Sequence, residues 1–400
     1  TPIKSSAASD VYKRQDIIMI KSLHFGSEFS MLRRFEVENY RCFSEKLVFD
    51  LTSRDYSFNQ NLVYNGIVNK AIIYGKNGIG KSVLGFALFD IISHLTDNKC
   101  LQKKNYRNLE HLDQPVVFRY FFKFGNDDIV YEYIKLDQYD LRKETLKLNG
   151  KELVRFDYFS QSETERFVDS TLKGSLNIDL PDNKLSVLKY IYRNTPTNSS
   201  SPVTKLIHFC ENMLWYRSLS EGNSHMGFTT RNFELTEMIR ENNKLEEFQY
   251  FLKQNGLDYQ LGFEKENDGY ILYAYYRNGE RTEKAPFLSL ASTGTQALLL
   301  YFAWSVAAFP KISFLFIDEF DAFFHYESAE LIVQLLNEQS GFQSVLTTHN
   351  TYLMQNRLTR PDCCFLMTKN KITNLYDSTD REIREAHNLE KMYINGAFTE

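Results

Sequence analysis

The chain has 400 residues, 43% of them apolar, with 32 Phe and 25 Tyr, enough to bury a large core. Lys and Arg number 47 against 51 Asp and Glu, so bulk charge does not point to nucleic acid and leaves only a local basic patch open. No apolar run approaches the roughly 18 residues of a membrane span, and Cys42, Cys100, Cys210, Cys363 and Cys364 form no C-x-x-C pair, which fits buried thiols in a reducing cytoplasm.

Length sets a prior of two or three domains. Residues 1–15, TPIKSSAASDVYKRQ, lack the apolar centre of a signal peptide and resemble a translated sequencing-adapter remnant. Residues 1–30 are therefore expected to be a non-native or disordered extension, with the natural start at Met19 or Met31. From Met31, alternating Phe35, Val37 and Tyr40, then Leu47-Val48-Phe49 after a polar break, predict a β-hairpin.

Residues 71–90 read AIIYGKNGIGKSVLGFALFD, and Gly75 to Ser82 fits G-x-x-x-x-G-K-[ST]. Ala71 to Tyr74 predicts a buried strand, and Val83 to His94, apolar on nearly every face, predicts a helix packed against a sheet. Between them Gly75, Lys76, Asn77, Gly78, Ile79 and Gly80 form a loop whose glycines let backbone N–H groups turn toward phosphate oxygens. Lys81 adds a charge at the β- and γ-phosphates, the Ser82 hydroxyl suits Mg2+, and the helix N-terminus favours the anion. The expected ligand pair is ATP and Mg2+.

Residues 115–155 predict strands joined by turns at Gly125-Asn126 and Asn149-Gly150. Helical spacing then runs through NKLSVLKYIYR, TKLIHFCENMLWY and TEMIRENNKLEEFQYFLKQNG, broken by the loop 194–203 and ended by Gly256 as a helix cap. YILYAYYRNGERTEKAPF returns to strands, and no heptad series is long enough for a coiled-coil arm. LSLASTGTQALLLYF places Ser292 and Gly294 before an apolar helix; by itself such a turn is also an ordinary helix cap. ISFLFIDEF is an apolar strand ending in Asp318-Glu319, and SVLTTHN is a strand ending at His349.

The order of these segments resembles the SMC, RecF and OLD branch of the ABC-type ATPases, including bacterial AAA-labelled members of anti-phage defence systems. The resemblance covers residues 31–95 and 285–400. It implies an α/β P-loop head with an N-terminal antiparallel β subdomain and a mixed β and helical insertion between phosphate loop and signature. The implied division is 31–110 and 286–400 for the head and 111–285 for the inserted lobe. In such a head Asp318 serves Mg2+ and Glu319 orients the attacking water. His349 stands at the γ-phosphate, and Ser292 and Gly294 form a signature that acts on the nucleotide of a second subunit. His325, in DAFFH, takes the D-loop position. Gln114 is the candidate Q-loop glutamine.

The same resemblance implies a homodimer or larger homo-oligomer with composite ATP sites. It implies a separate effector, nuclease or toxin, because the sequence carries no His/Cys metal cluster and no acidic triad with nuclease spacing. DNA is a further possible partner and a membrane is not. Two alternatives stay open: a RecF-type repair ATPase binding DNA directly, and a transporter's nucleotide-binding subunit, which the long insert and altered signature disfavour.

Overall fold

The computed structural model describes residues 29–101, 104–180, 182–196, 198–218, 224–230, 234–266 and 269–398. The expectations for residues 1–28, Met19 among them, lie outside the described residues. In chain order the first strands are β1 (Ser30–Glu38), β2 (Leu47–Asp50), the short pair β3 (Val63–Tyr64) and β4 (Ile67–Val68), and β5 (Lys70–Tyr74). The central strands are β6 (Val116–Phe124), β7 (Asp127–Lys135), β8 (Leu141–Leu148), β9 (Lys151–Asp157) and β10 (Arg166–Val168). Then come β11 (Met213–Arg217), β12 (His225–Gly227), β13 (Gln260–Glu266), β14 (Gly269–Asn278) and β15 (Arg281–Pro286). The last are β16 (Phe314–Asp318), β17 (Gln343–Thr348), β18 (Cys364–Met367) and β19 (Ile372–Asn374).

Two seven-stranded sheets organise the chain. The first runs β10-β9-β8-β7-β6-β1-β2, antiparallel throughout, so the N-terminal hairpin and the strands after residue 115 share one sheet. Strict alternation along β6 buries Val116, Phe118, Tyr120, Phe122 and Phe124 on one face. The Asn149-Gly150 turn has φ of 49° and 81° at its two residues, the left-handed pair a type I′ hairpin needs. The second sheet runs β12-β11-β16-β17-β5-β18-β19, with its five inner strands parallel. β13, β14 and β15 form a separate three-stranded sheet.

The parallel sheet separates two cores. Ala71, Ile73, Trp215, Phe314, Phe316 and Val345 face the antiparallel sheet and the helix after the phosphate loop. Their strand neighbours Ile72, Tyr74, Leu214, Leu315, Ile317 and Leu346 face the helix Thr293–Ala307. A strand buried on both faces reads as a continuous apolar run, and FLFID does.

Three local expectations are corrected. The predicted helix 83–94 is two pieces, Lys81–Leu88 and Ile92–Leu95. It breaks where buried Asp90 is drawn to Lys135 Nζ, at 2.9 Å, and to Tyr133 Oη, at 3.2 Å, while Tyr120 Oη donates to the carbonyls of Ala87 and Leu88. The helical reading of MLWY is overturned as well: the helix ends at Glu211, and Met213–Arg217 is β11, paired in parallel with β16. Five apolar or aromatic residues after a helix carry no period of their own, and pairing with β16 decides. Finally, TEMIRENNKLEEFQYFLKQNG forms two helices, Leu235–Glu241 and Leu245–Gln254, parted at left-handed Asn243.

Helix Lys81–Leu88 lies very close to the parallel sheet. A Cβ added at Gly85 meets Trp215 Nε1 at 2.7 Å and Phe316 Cε1 at 2.8 Å. Gly85→Ala gains up to about 1 kcal/mol in helix propensity, but overpacking against two rigid rings costs about 1–3 kcal/mol. The clash is expected to win, with denaturant unfolding reporting a lower midpoint; an equal or higher midpoint would mean the helix can move outward.

Candidate functional site

The phosphate loop leaves β5 at the centre of the parallel sheet and enters helix Lys81–Leu88. Gly78 and Gly80 have φ of 77° and 112°, a backbone region that disfavours a side chain. Gly80 also faces the turn between β1 and β2, where a Cβ would stand 3.0 Å from both Cys42 Sγ and Phe43 Cε1. Gly75 is as tight, with Met367 O at 3.1 Å from such a Cβ. Lys76 and Asn77 are exposed on the loop, and Ile79 is half-buried, its Cγ2 set against Gly75.

Lys81 is buried, and its Nζ donates to the carbonyls of Gly75, at 2.6 Å, and Lys76, at 3.1 Å. Burial pushes its ammonium down from the ordinary value, while Glu319, Asp318 and Asp321 act to hold it up. A cation wrapped by its own loop's carbonyls is placed to exchange them for phosphate oxygens.

Asp318 ends β16 and is fully buried. Its Oδ1 accepts from Thr347 Oγ1 at 2.7 Å, and the Ser82 hydroxyl also bonds the carboxylate. Burial raises its carboxyl above the usual range, against those two bonds and the attraction of Arg217. Oδ2 is buried without a hydrogen bond among the described residues. One carboxylate with an orphaned oxygen beside a serine hydroxyl fits Mg2+, which takes few protein ligands and leaves the rest to water and phosphate.

Glu319 follows at φ 49°, a left-handed position for a non-glycine residue. Its N–H donates to Thr347 Oγ1 at 2.8 Å, and its carboxylate is paired with Arg217 at the end of β11. His349, exposed at the end of β17, lies near enough to Asp321 to act on its charge. Asp321 accepts from Thr348 Oγ1 at 2.7 Å, and burial raises its carboxyl.

The structure thus gathers Lys81, Ser82, Asp318, Glu319 and His349 at the carboxyl ends of parallel strands. Ser292 is the N-cap of Thr293–Ala307, its Oγ accepting from Thr295 N at 3.2 Å. Gly294 abuts the turn after Asp321, where a Cβ would meet Phe323 O at 2.9 Å. No described contact joins Ser292 or Gly294 to residues 75–82. His325 stands apart too, 67% exposed, with Nδ1 3.6 Å from Glu327 Oε2. Gln114 sits in the loop before β6 with its carbonyl on Asn39 Nδ2, whereas the strand end beside Asp318 carries Arg217.

Sequence reasoning missed Arg217, Thr347 and Asp321. The last two stand inside the TTHN and DEFD segments and were within reach; Arg217 had no signal once MLWY, just before it, was read as helix. A cleft lined by Tyr56, Phe58, Tyr376, Asp380 and Arg384 among others includes no residue of the phosphate loop. A loop that grips with backbone N–H groups needs no deep cavity.

Residues 70–355 match the family described as "AAA domain, putative AbiEii toxin, Type IV TA system". No curated protein matches the chain. Among solved structures it is similar to the SMC head domain from Thermotoga maritima, at 15% identity over 86% of this chain and 98% of that one, TM-score 0.40. It is similar to the Pyrococcus furiosus Smc head with an extended coiled coil, bound to the C-terminal domain of ScpA, at 13% identity over 87% and 98%, TM-score 0.40. The recombination mediator RecF with ATP matches at 15% identity over 88% and 100%, TM-score 0.37. Among the described residues no helix is long and apolar enough to cross a membrane.

Proposed function

The chain belongs to this AAA-domain family, and from that premise we propose that it is a Mg2+-dependent ATPase whose ATP-driven pairing controls a separate effector protein. The observation that carries the reading is Lys81 wrapped by its loop's carbonyls, with the Ser82 hydroxyl on a buried Asp318 whose Oδ2 takes no hydrogen bond among the described residues.

In this reading the backbone N–H groups of residues 75–82 receive the phosphates, and Lys81 turns from the Gly75 and Lys76 carbonyls to their oxygens. Ser82 and Asp318 would hold Mg2+, which when bound neutralises charge on the β- and γ-phosphates. Glu319 orients a water toward the γ-phosphate and accepts its hydrogen bond. His349 stands beside the same phosphate. Ser292 and Gly294 offer a hydroxyl and a bare N–H at a helix N-terminus, a place suited to an anion. With no described contact to their own phosphate loop, they are assigned to the nucleotide of a second copy, and His325 to the contact between copies. The toxin–antitoxin wording of the family description supports an effector partner and a place in phage defence.

The composite site is tested with Ser292→Arg. ATP binding by the isolated chain is expected to stay near the parent's, because the nucleotide's own loop is intact. Turnover is expected to fall about a hundredfold or more, since the bulky cation displaces a preorganised donor at the reacting phosphate. Mixing with Lys81→Ala protein should not restore both sites of a pair. Parent-like turnover by Ser292→Arg alone would sink the two-copy reading.

A further inference from the structure

Arg217 closes β11, and parallel register sets it opposite Asp318. Its Nε donates to Glu319 Oε2 at 3.1 Å, and a second guanidinium nitrogen donates to the same oxygen. Nε also lies 3.8 Å from Asp318 Oδ2. Among the described hydrogen bonds, both that reach the Glu319 carboxylate end on Oε2 and none on Oε1. The backbone of Glu319 is pinned as well, by its left-handed φ of 49° and its N–H bond to Thr347 Oγ1.

We propose that Arg217 is a positioning residue for ATP hydrolysis: it anchors Oε2 of Glu319 and leaves Oε1 to orient the attacking water. This rests on the ATPase reading of the same site. A free glutamate side chain has three rotors to freeze before one oxygen can be aimed at a water molecule. A two-pronged guanidinium contact removes that freedom before substrate arrives, and its fork geometry sets direction as well as distance. The guanidinium is 34% exposed, so the pair contributes little to stability. Its value lies in where the carboxylate points. Arg217 also adds positive charge where Asp318, Glu319 and Asp321 crowd together, so the glutamate is not driven outward by its neighbours.

The test is a double-mutant cycle in the full chain, with steady-state hydrolysis and equilibrium ATP binding measured on each protein. Arg217→Ala is expected to lower kcat about tenfold or more, the scale of one charge-assisted hydrogen bond at the reacting group. ATP affinity should stay within about twofold, and in a Glu319→Gln background removing Arg217 should change the rate by less than about twofold, because the negative charge that Arg217 directs at the water is gone. Arg217→Lys should recover part of the loss, with one donor headgroup in place of the fork. An equal fall in both backgrounds, or a lost ATP affinity, puts Arg217 on the phosphates or in the fold and overturns the proposal. A kcat for Arg217→Ala at or above the parent's overturns it alone. A parent chain that does not hydrolyse ATP overturns the ATPase reading, and this proposal with it.

Discussion

Glu319→Gln is expected to slow ATP hydrolysis by about two orders of magnitude or more while leaving ATP binding intact. The amide keeps the size of the side chain and can still accept from Arg217. What it loses is the charge that polarises the water, and positioning with electrostatics carries most of the rate in phosphoryl transfer. Binding survives because Lys81, Ser82 and Asp318 are untouched, and none of them takes a described hydrogen bond from Glu319. The variant should therefore collect as an ATP-bound assembly, seen by light scattering as a larger species that disperses with ADP. If the effector responds to the closed state, Glu319→Gln locks the response on; if it responds to turnover, the variant is silent. Unchanged hydrolysis would remove Glu319 from the water.

Lys81→Ala acts one step earlier. It deletes the single buried cation at the phosphate loop, where Nζ is held by Gly75 and Lys76 carbonyls. Without it, those carbonyl oxygens face the incoming phosphates and repel them. Hydrogen bonds to charged groups contribute about 1.5–3 kcal/mol each, so losing this one should weaken ATP about tenfold to a hundredfold or more, and hydrolysis should vanish with it. Isothermal titration with ATP and Mg2+ reads this directly. The fold should tolerate the change, because the glycine turns and helix Lys81–Leu88 do not depend on the ammonium. An affinity equal to the parent's would show that the loop is not the phosphate cradle.

These two residues were legible in the sequence for a physical reason. The phosphate loop and the Asp318-Glu319 strand end are each written in consecutive residues, so chemistry and local structure arrive together. The hairpins at Gly125 and Asn149 were legible for the same reason. Arg217 was not, because what makes β11 a strand is β16, far along the chain, and the five residues alone fit either state. Asp90 is a parallel case. An apolar helix carrying one aspartate reads as continuous until Lys135, itself an interruption in the buried face of β7, supplies the partner that breaks it. Ser292 was legible as a cap and is one; the action on a second copy proposed for it is a matter of assembly.

The strand order of the parallel sheet has a consequence for how the molecule is made. β5 carries the phosphate loop, yet its neighbours are β17, paired from Ser344 to Lys70, and β18, paired from Cys364 to Ile72. On the ribosome the antiparallel sheet is complete in sequence by Val168 and can form before β17 is made, while β5 waits with both edges open until nearly all of the chain has emerged. Nascent chains and C-terminal truncations ending before β17 would thus carry the GKNGIGKS loop without the two strands that hold it in place. On the ATPase reading, ATP competence is therefore expected late, only after β17 and then β18 have emerged, and a partially synthesised chain is expected to be silent.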